Sequence, residues 1–228
     1  MHIAEGFLPA PQAAAWFAVA AIPVIHGARA VMKEVREHPE RRTLLAAAGA
    51  FTFVLSAIKL PSVSGSSSHP TGTGLGAVLF RPPVMSFLCT IVLIFQALLL
   101  GHGGITTLGA NVFSMGIIGP WIGYLTWLGF KKLKANETVG IFFAMALANL
   151  STYCVTSIQL AIAYPDPVSG FAGAMAKFLG IFAFTQIPLS IIEGLIGVLV
   201  FRFLRNNADE QLVDLHVLSQ QELVTNVR

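Results

Sequence analysis

Charge is what this sequence most lacks. Asp, Glu, Lys and Arg make up 11% of the 228 residues, while 55% are hydrophobic, and the mean hydropathy is +0.73. A soluble domain carries about a quarter charged residues. A chain this poor in charge cannot cover a surface that faces water, so soluble folds are excluded and an integral membrane protein is expected. The short alternating segments of a transmembrane β-barrel are also missing. Cysteine is scarce: Cys89 and Cys154 both sit in apolar runs without CxxC spacing. That excludes a disulfide framework and leaves both as small buried residues. No GxxxxGK[ST] phosphate loop occurs, so if ATP drives this protein another polypeptide hydrolyses it. HExxH, paired carboxylates and nucleophile–base pairs are absent as well, which leaves an enzyme or an organic cofactor without support. The net charge of +3 is dispersed in short basic clusters, too little for nucleic acid. The start of the chain has no basic n-region and is interrupted by Glu5, Pro9 and Pro11, which argues against a signal peptide. The bulky His2 should leave Met1 in place as the terminus.

What is present is a series of long apolar runs, read as one all-α transmembrane bundle. The expected spans are Ala10–Met32, Thr43–Leu60, Gly74–Phe80, Val84–Leu100, Ile105–Phe130, Thr138–Ala163 and Phe171–Leu204. Pro23, Pro120 and Pro188 fall within three of them as kink sites. Basic clusters at Lys33–Arg42, Arg81, Lys131–Lys134 and Arg202–Arg205 mark cytoplasmic ends by the positive-inside rule. The count is seven spans, with the N-terminus outside and the C-terminus inside. The third run is short, and a re-entrant loop there would redraw the orientation of the later spans. Residues 206–228 read as a polar cytoplasmic tail. No internal repeat is evident, so the inverted-repeat plan of many secondary transporters gains no support.

Two places carry the chemistry. Met1-His2 presents the free α-amine, the His2 amide and the His2 imidazole in succession. A metal bound by all three closes a five-membered and then a six-membered ring, a nearly planar set suited to Ni(II), Cu(II) or low-spin Co(II). One in-plane position stays open for another imidazole. The alternative is a frayed chain end. The second place is the outer loop 61–73, with seven Ser/Thr, two Gly, two Pro and His69 in thirteen residues. Charge bias puts it on the same face as Met1 and His2. His69 is either a ligand or a hydrogen-bonding loop residue. His102, beside Gly101, Gly103 and Gly104, is a turn histidine, a partner behind the ligands or an occasional axial ligand. Glu5 either pairs with backbone amides of the N-terminal loop or touches metal. Asn111, Thr106 and Thr107 are candidates to hold that loop. Glu193 is a carboxylate inside an apolar run, which by default suggests function; the alternative is a hydrogen bond to a broken helix carrying Asn111 or Gln186. Asn149, Ser151, Thr152, Ser157 and Gln159 are expected to hydrogen-bond between helices. His26, His38 and His216 read as surface residues. The small-residue patch Ala46–Ala50 serves either internal packing or a partner helix.

Three stretches taken together resemble a known family. They are Met1-His2-Ile3-Ala4-Glu5-Gly6-Phe7-Leu8-Pro9, the Ser/Gly-rich run from Ser62 through Ser68-His69-Pro70-Thr71-Gly72 to Gly76, and His102-Gly103-Gly104-Ile105-Thr106-Thr107-Leu108-Gly109-Ala110-Asn111. Over residues 1 to about 204 the chain resembles the substrate-binding membrane subunit, or S component, of cobalt and nickel energy-coupling-factor (ECF) transporters. The resemblance implies a seven-helix subunit of the bacterial inner membrane. Its N-terminus inserts into the bundle from outside and holds Co(II) or Ni(II) as transported substrate, for example for cobalamin biosynthesis. By the same resemblance the ligands are the Met1 amine, the His2 amide and imidazole, and His69; from the residues themselves, Glu5, His102 and Asn111 are the candidates to stand behind them. The implied partners, besides the lipid bilayer, are a transmembrane coupling (T) component, a cytoplasmic ATPase pair and a small accessory membrane subunit. Residues 1–205 would then be a single metal-binding transmembrane domain, with 1–9 as its metal-binding loop. Ser67 stands where many members have cysteine, which removes a soft donor near the site. A nickel importer is the alternative, and a gradient-driven metal transporter a lower one.

Overall fold

A computed structural model of the chain describes residues 1–61 and 66–220. Ser62–Gly65 of the Ser/Gly-rich loop and residues 221–228 of the tail lie outside the described residues. The fold is an all-α bundle, completed by one small sheet at the end where the chain begins.

Helix α1 (Ala10–Glu37) starts after Pro9 and has Pro11 in its first turn, where a missing N–H costs nothing. It absorbs half of the charged stretch expected as a loop. Lys33 and Glu37 pair one turn apart at 3.9 Å, and Glu34 accepts from Arg41 at 2.5 Å. The helix stops only where Pro39 disfavours helical geometry at His38. A single 3₁₀ turn (Pro39–Arg41) leads into α2 (Arg42–Ala57). At 16 residues α2 is shorter than the expected Thr43–Leu60 span. Leu60–Pro61 instead form strand β2, which pairs with β3 (Ser66–Ser68); β3 in turn pairs with β1 (His2–Ile3).

The expected short third span and the fourth form one continuous element, α3 (Thr73–Leu100), which is broken at Arg81 by φ 69°, ψ 154°. A straight helix of 28 residues would separate its ends by about 42 Å. The two ends instead lie together, because His69 and His102, just outside them, have ring centroids 4.9 Å apart. The element is therefore a hairpin. Its short arm, Thr73–Phe80, is buried throughout. A Cβ on Gly76 would collide with the thioether of Met85 on the returning arm. Pro82 and Pro83 enforce the turn, because neither can donate to the helix that would continue through Arg81.

The next span begins later than expected. α4 (Leu108–Asn111) passes through a π-helical stretch, Val112–Ile118, into α5 (Gly119–Lys132). Pro120 removes a donor from the i→i−4 ladder at that junction, and the wider π turn accommodates it. α6 (Glu137–Ala163) is capped by Asn136, whose side chain accepts from Thr138 N at 2.9 Å. α7 (Gly170–Asn207) is 38 residues long, about 57 Å, more than a ~30 Å hydrocarbon core requires.

The stretches Ala10–Glu37, Thr73–Leu100, Leu108–Lys132, Glu137–Ala163 and Gly170–Asn207 are each long and apolar enough to cross a membrane. Their outward side chains are apolar: Ile22 is 75% exposed, Phe184 87% and Leu199 66%. Such a surface suits lipid, and the chain is a multi-pass membrane protein. The basic clusters meet at one end of the bundle. Arg41 donates to Asp214 O at 2.8 Å and Lys131 to Val217 O at 2.7 Å, Arg205 pairs with Glu137 at 2.6 Å, and Arg81 lines one cavity with Lys33 and His216. The tail, expected to be polar and either a simple tail or a short helix, folds there too. After α8 (Asp209–Asp214), Leu212, Val217 and Leu218 are buried in a cluster with Trp127 and Phe201. Apolar spacing inside a polar segment gives the tail this packing face.

Candidate metal centre

The other end of the bundle is built around the first residues of the chain. Met1, Ile3 and Leu8 join a buried cluster with Ala13, Tyr153 and Phe182. Fully burying a side chain of this size contributes about 1.5–3 kcal/mol, which offsets the entropy of ordering a terminus. Polar groups set the register. β1 pairs with β3 so that His2 stands opposite Ser67 and Ile3 opposite Ser66. On the other side Asn111 grips Ile3 twice: its carbonyl accepts from Ile3 N at 2.8 Å and its amide donates to Ile3 O at 3.0 Å. Thr107 Oγ1 donates to the same carbonyl at 2.8 Å. Further along, Gly6 N donates to Thr106 Oγ1 at 2.8 Å, and Thr106 N donates to the Glu5 carboxylate at 3.2 Å. The Tyr164 hydroxyl donates to Phe7 O. The glycines after His102 are needed for this approach. A Cβ on Gly104 would overlap the Glu5 side chain, and one on Gly103 would lie 2.9 Å from His2 Cδ2.

Three imidazoles converge here. His2, His69 and His102 each offer a nitrogen within 4.8 Å of the other two, and all three residues are buried. His2 Nδ1 faces His69 Nε2. His69 Nδ1 lies 2.8 Å from Pro70 O. A carbonyl only accepts, so Nδ1 carries the proton and Nε2 keeps its lone pair toward His2. The loop that carries His69 is anchored by Glu193 on α7. Its carboxylate accepts from Thr71 N at 2.6 Å, Thr71 Oγ1 at 2.7 Å, Gly72 N at 2.7 Å and Asn149 Nδ2 at 2.6 Å. Asn149 also donates to His69 O at 3.3 Å.

Burial sets the protonation of the centre. It pulls the Met1 amine down to about 5 and His102 down to about 4. It also holds His2 and His69 well below the usual imidazole value. All four nitrogens are therefore neutral at pH 7, the state in which nitrogen donates to a transition metal. Glu5, at the surface, is held low chiefly by the Thr106 hydroxyl.

Residues 2–210 match the family model described as the cobalt uptake substrate-specific transmembrane region. The chain belongs to this family. The cobalt transport protein CbiM of Propionibacterium freudenreichii is 66% identical over 217 residues, which cover 95% of this chain and 92% of the relative. That of Streptomyces coelicolor is 61% identical over 218 residues, covering 96% and 94%. A crystal structure of a transition metal transporter superposes with TM-score 0.80 at 27% identity, covering 90% of this chain and 93% of the other. Members of this family are transport proteins by name, and the chain is a cobalt-uptake transmembrane component.

With the family known, the residues singled out in the sequence sort cleanly. Met1, His2 and His69 meet at one point, and Asn111, Thr106 and Thr107 hold the N-terminal segment. Glu5 pairs with a backbone amide. His102 is no ordinary turn residue: its ring centroid lies 4.3 Å from that of His2. Nothing in its local sequence beyond the adjacent glycines signals this. Glu193 bonds to Thr71, Gly72 and Asn149 rather than to Asn111 or Gln186; the cue was a second polar residue, Asn149, in another apolar run. Of the other α6 residues, Gln159 reaches Ala110 O at 3.0 Å and Thr152 reaches Ser114 O at 3.3 Å. Ser151 and Ser157 bond instead to carbonyls of their own helix.

Proposed function

We propose that the chain is the substrate-binding membrane subunit of an ATP-driven importer of the energy-coupling-factor type, and that it captures Co(II) from outside. The observation that carries this reading is the burial of the chain's start against His69. Met1 and His2 are each 1% exposed, and His2 Nδ1 faces His69 Nε2. The donors are the Met1 amine, the His2 amide and Nδ1, and His69 Nε2, four nitrogens in a plane. Such a set binds Cu(II) more tightly than Co(II) or Ni(II), so selectivity rests on loop closure and metal availability. Residues 1–205 act as one metal-binding domain, in which 1–9 and the loop 61–73 supply the ligands. Glu5, Asn111 and the Glu193 anchor hold those two segments.

The centre faces outward and the tail faces the cytoplasm. Clustering of Arg41, Arg81, Lys131 and Arg205 at the tail's end of the bundle supports that orientation. Counting the two arms of α3 separately keeps seven spans. Because the chain lacks a phosphate loop, it relies on a transmembrane coupling protein and an ATPase pair, with a small accessory membrane subunit. The coupling protein docks on the groove between α2 and the returning arm of α3, lined by Ala46, Gly49, Ala50, Phe95 and Leu99. Nickel is the second reading, favoured by the broader description of the solved relative as a transition metal transporter.

The test is uptake into proteoliposomes that contain the chain with a coupling protein and ATPases. Radioactive Co(II) should accumulate only with ATP hydrolysis. Accumulation driven by an imposed ion gradient without the ATPases would replace this reading with a gradient-driven transporter.

A further inference from the structure

Three buried nitrogens of the imidazole cluster are accounted for by partners: His2 Nδ1, His69 Nε2 and His69 Nδ1. His102 stands apart from that pairing. Its Nε2 shares a hydrogen bond of 2.7 Å with Ser67 Oγ, while its Nδ1 is buried with no hydrogen-bond partner. The neighbouring His2 ring, by contrast, is supported by the Gln96 side chain. A buried polar atom left unpaired costs about 1–3 kcal/mol, so His102 Nδ1 points to a ligand. The two rings are tilted by 30° with centroids 4.3 Å apart. Both side chains also line a cleft of about 280 Å³, together with Lys59, Ser67, Gly101 and Gly103.

We propose that His102 is a capture ligand: it takes a divalent transition cation in this cleft and passes it inward to the Met1, His2 and His69 nitrogens. The inference rests on those nitrogens being the inner donors. The chemistry is ligand exchange. Bound waters leave the cation one at a time as imidazole nitrogen replaces them; no electron moves, and the one proton released is that of the His2 amide as the inner set closes. The glycines on either side of His102 keep the cleft open, and Ser67, in register with His2, orients the His102 ring. Lys59 in the cleft lining is exposed, with its ammonium directed to Leu100 O at 3.3 Å. In water its repulsion of a divalent cation is only about 2 kcal/mol even at 4 Å. A transient ligand must also be a weak one. His102 has no chelate ring to strengthen it, whereas the inner set has two.

The test is stopped-flow binding of NiCl₂ and CoCl₂ to the full-length protein in nanodiscs, followed by tryptophan fluorescence. His102→Gln is the informative variant, because glutamine retains a partner for Ser67 and fills the cleft with a much poorer donor. Association and dissociation should both slow by about tenfold, leaving Kd within about threefold of the unaltered protein. That Kd also reports an intact inner site, so misfolding is not confounded with loss of capture. An unchanged association rate would overturn the proposal. So would a Kd weakened more than about tenfold, which would make His102 an equilibrium donor or a structural prop. If the unaltered protein binds neither metal, the inner-donor reading fails instead.

Discussion

His69 carries two constraints on one ring. Pro70 O fixes the proton on Nδ1, and His2 lies on the far side, so Nε2 presents only its lone pair toward His2, as a hydrogen-bond acceptor or a metal ligand. The Met1 amine is constrained by burial, which pulls it from 8.0 to about 5. This has a consequence for pH. A protonated amine cannot bind metal, so affinity falls as pH falls. Above about pH 6 the amine is already neutral and adds no proton to the exchange; only the His2 amide proton is released. The logarithm of the Co(II) binding constant should therefore rise by about one per pH unit between pH 6 and 8, and more steeply below about pH 5. Isothermal titration in buffers across that range measures the slope; a slope of two or more above pH 6 contradicts a buried neutral amine. Much of this was legible in the sequence, because a chelate formed by consecutive residues needs no fold to bring it together. The place of His102 was not, since it depends on where a hairpin returns. Glu193 announced itself as a buried carboxylate, but its partners lie 44, 121 and 122 residues away in sequence.

At the scale of elements, composition located the helices well and their ends less well. A basic loop dissolved into α1 because ion pairs support helix up to Pro39. The Leu60 end of the second span was lost to a strand, because β1 needed β3 beside it and β3 in turn paired with β2. The pair of prolines after Arg81 marked a break, and the structure makes it a reversal. Arg81 sits there with φ 69°, a conformation that costs a non-glycine residue about 1–3 kcal/mol. Arg81→Gly should therefore stabilise the protein by about 1 kcal/mol after glycine's own entropy cost. Thermal melting in detergent should show a rise of a few degrees, absent in Arg81→Ala, which keeps the Cβ. Equal melting of both variants would mean that the strain is not there to relieve.

For the whole molecule, low charge and long apolar runs sufficed for a multi-pass bundle. They did not foresee that its two ends are built differently. One end closes over the start of the chain. The other is closed by the tail, whose Leu212, Val217 and Leu218 bury against Trp127 and Phe201. Truncation after Asn207 should remove several kcal/mol of burial, at about 1.5–3 kcal/mol per side chain as an upper estimate. Melting temperature should fall by roughly 10 °C or more, while the Kd for Co(II) should not change, because the tail lies at the end of the bundle opposite the imidazoles. A matching loss of affinity would mean that the two ends are coupled.

Whether the chain's own first amine is a metal ligand can be tested without altering any side chain. Acetylation of the amine removes that nitrogen donor while leaving His2, His69 and His102 in place. Co(II) and Ni(II) affinity, measured by titration on the purified full-length protein, should fall by at least about a hundredfold in the acetylated form, the loss of one chelate ring. Affinity equal to that of the unblocked protein would mean that the amine is not a ligand.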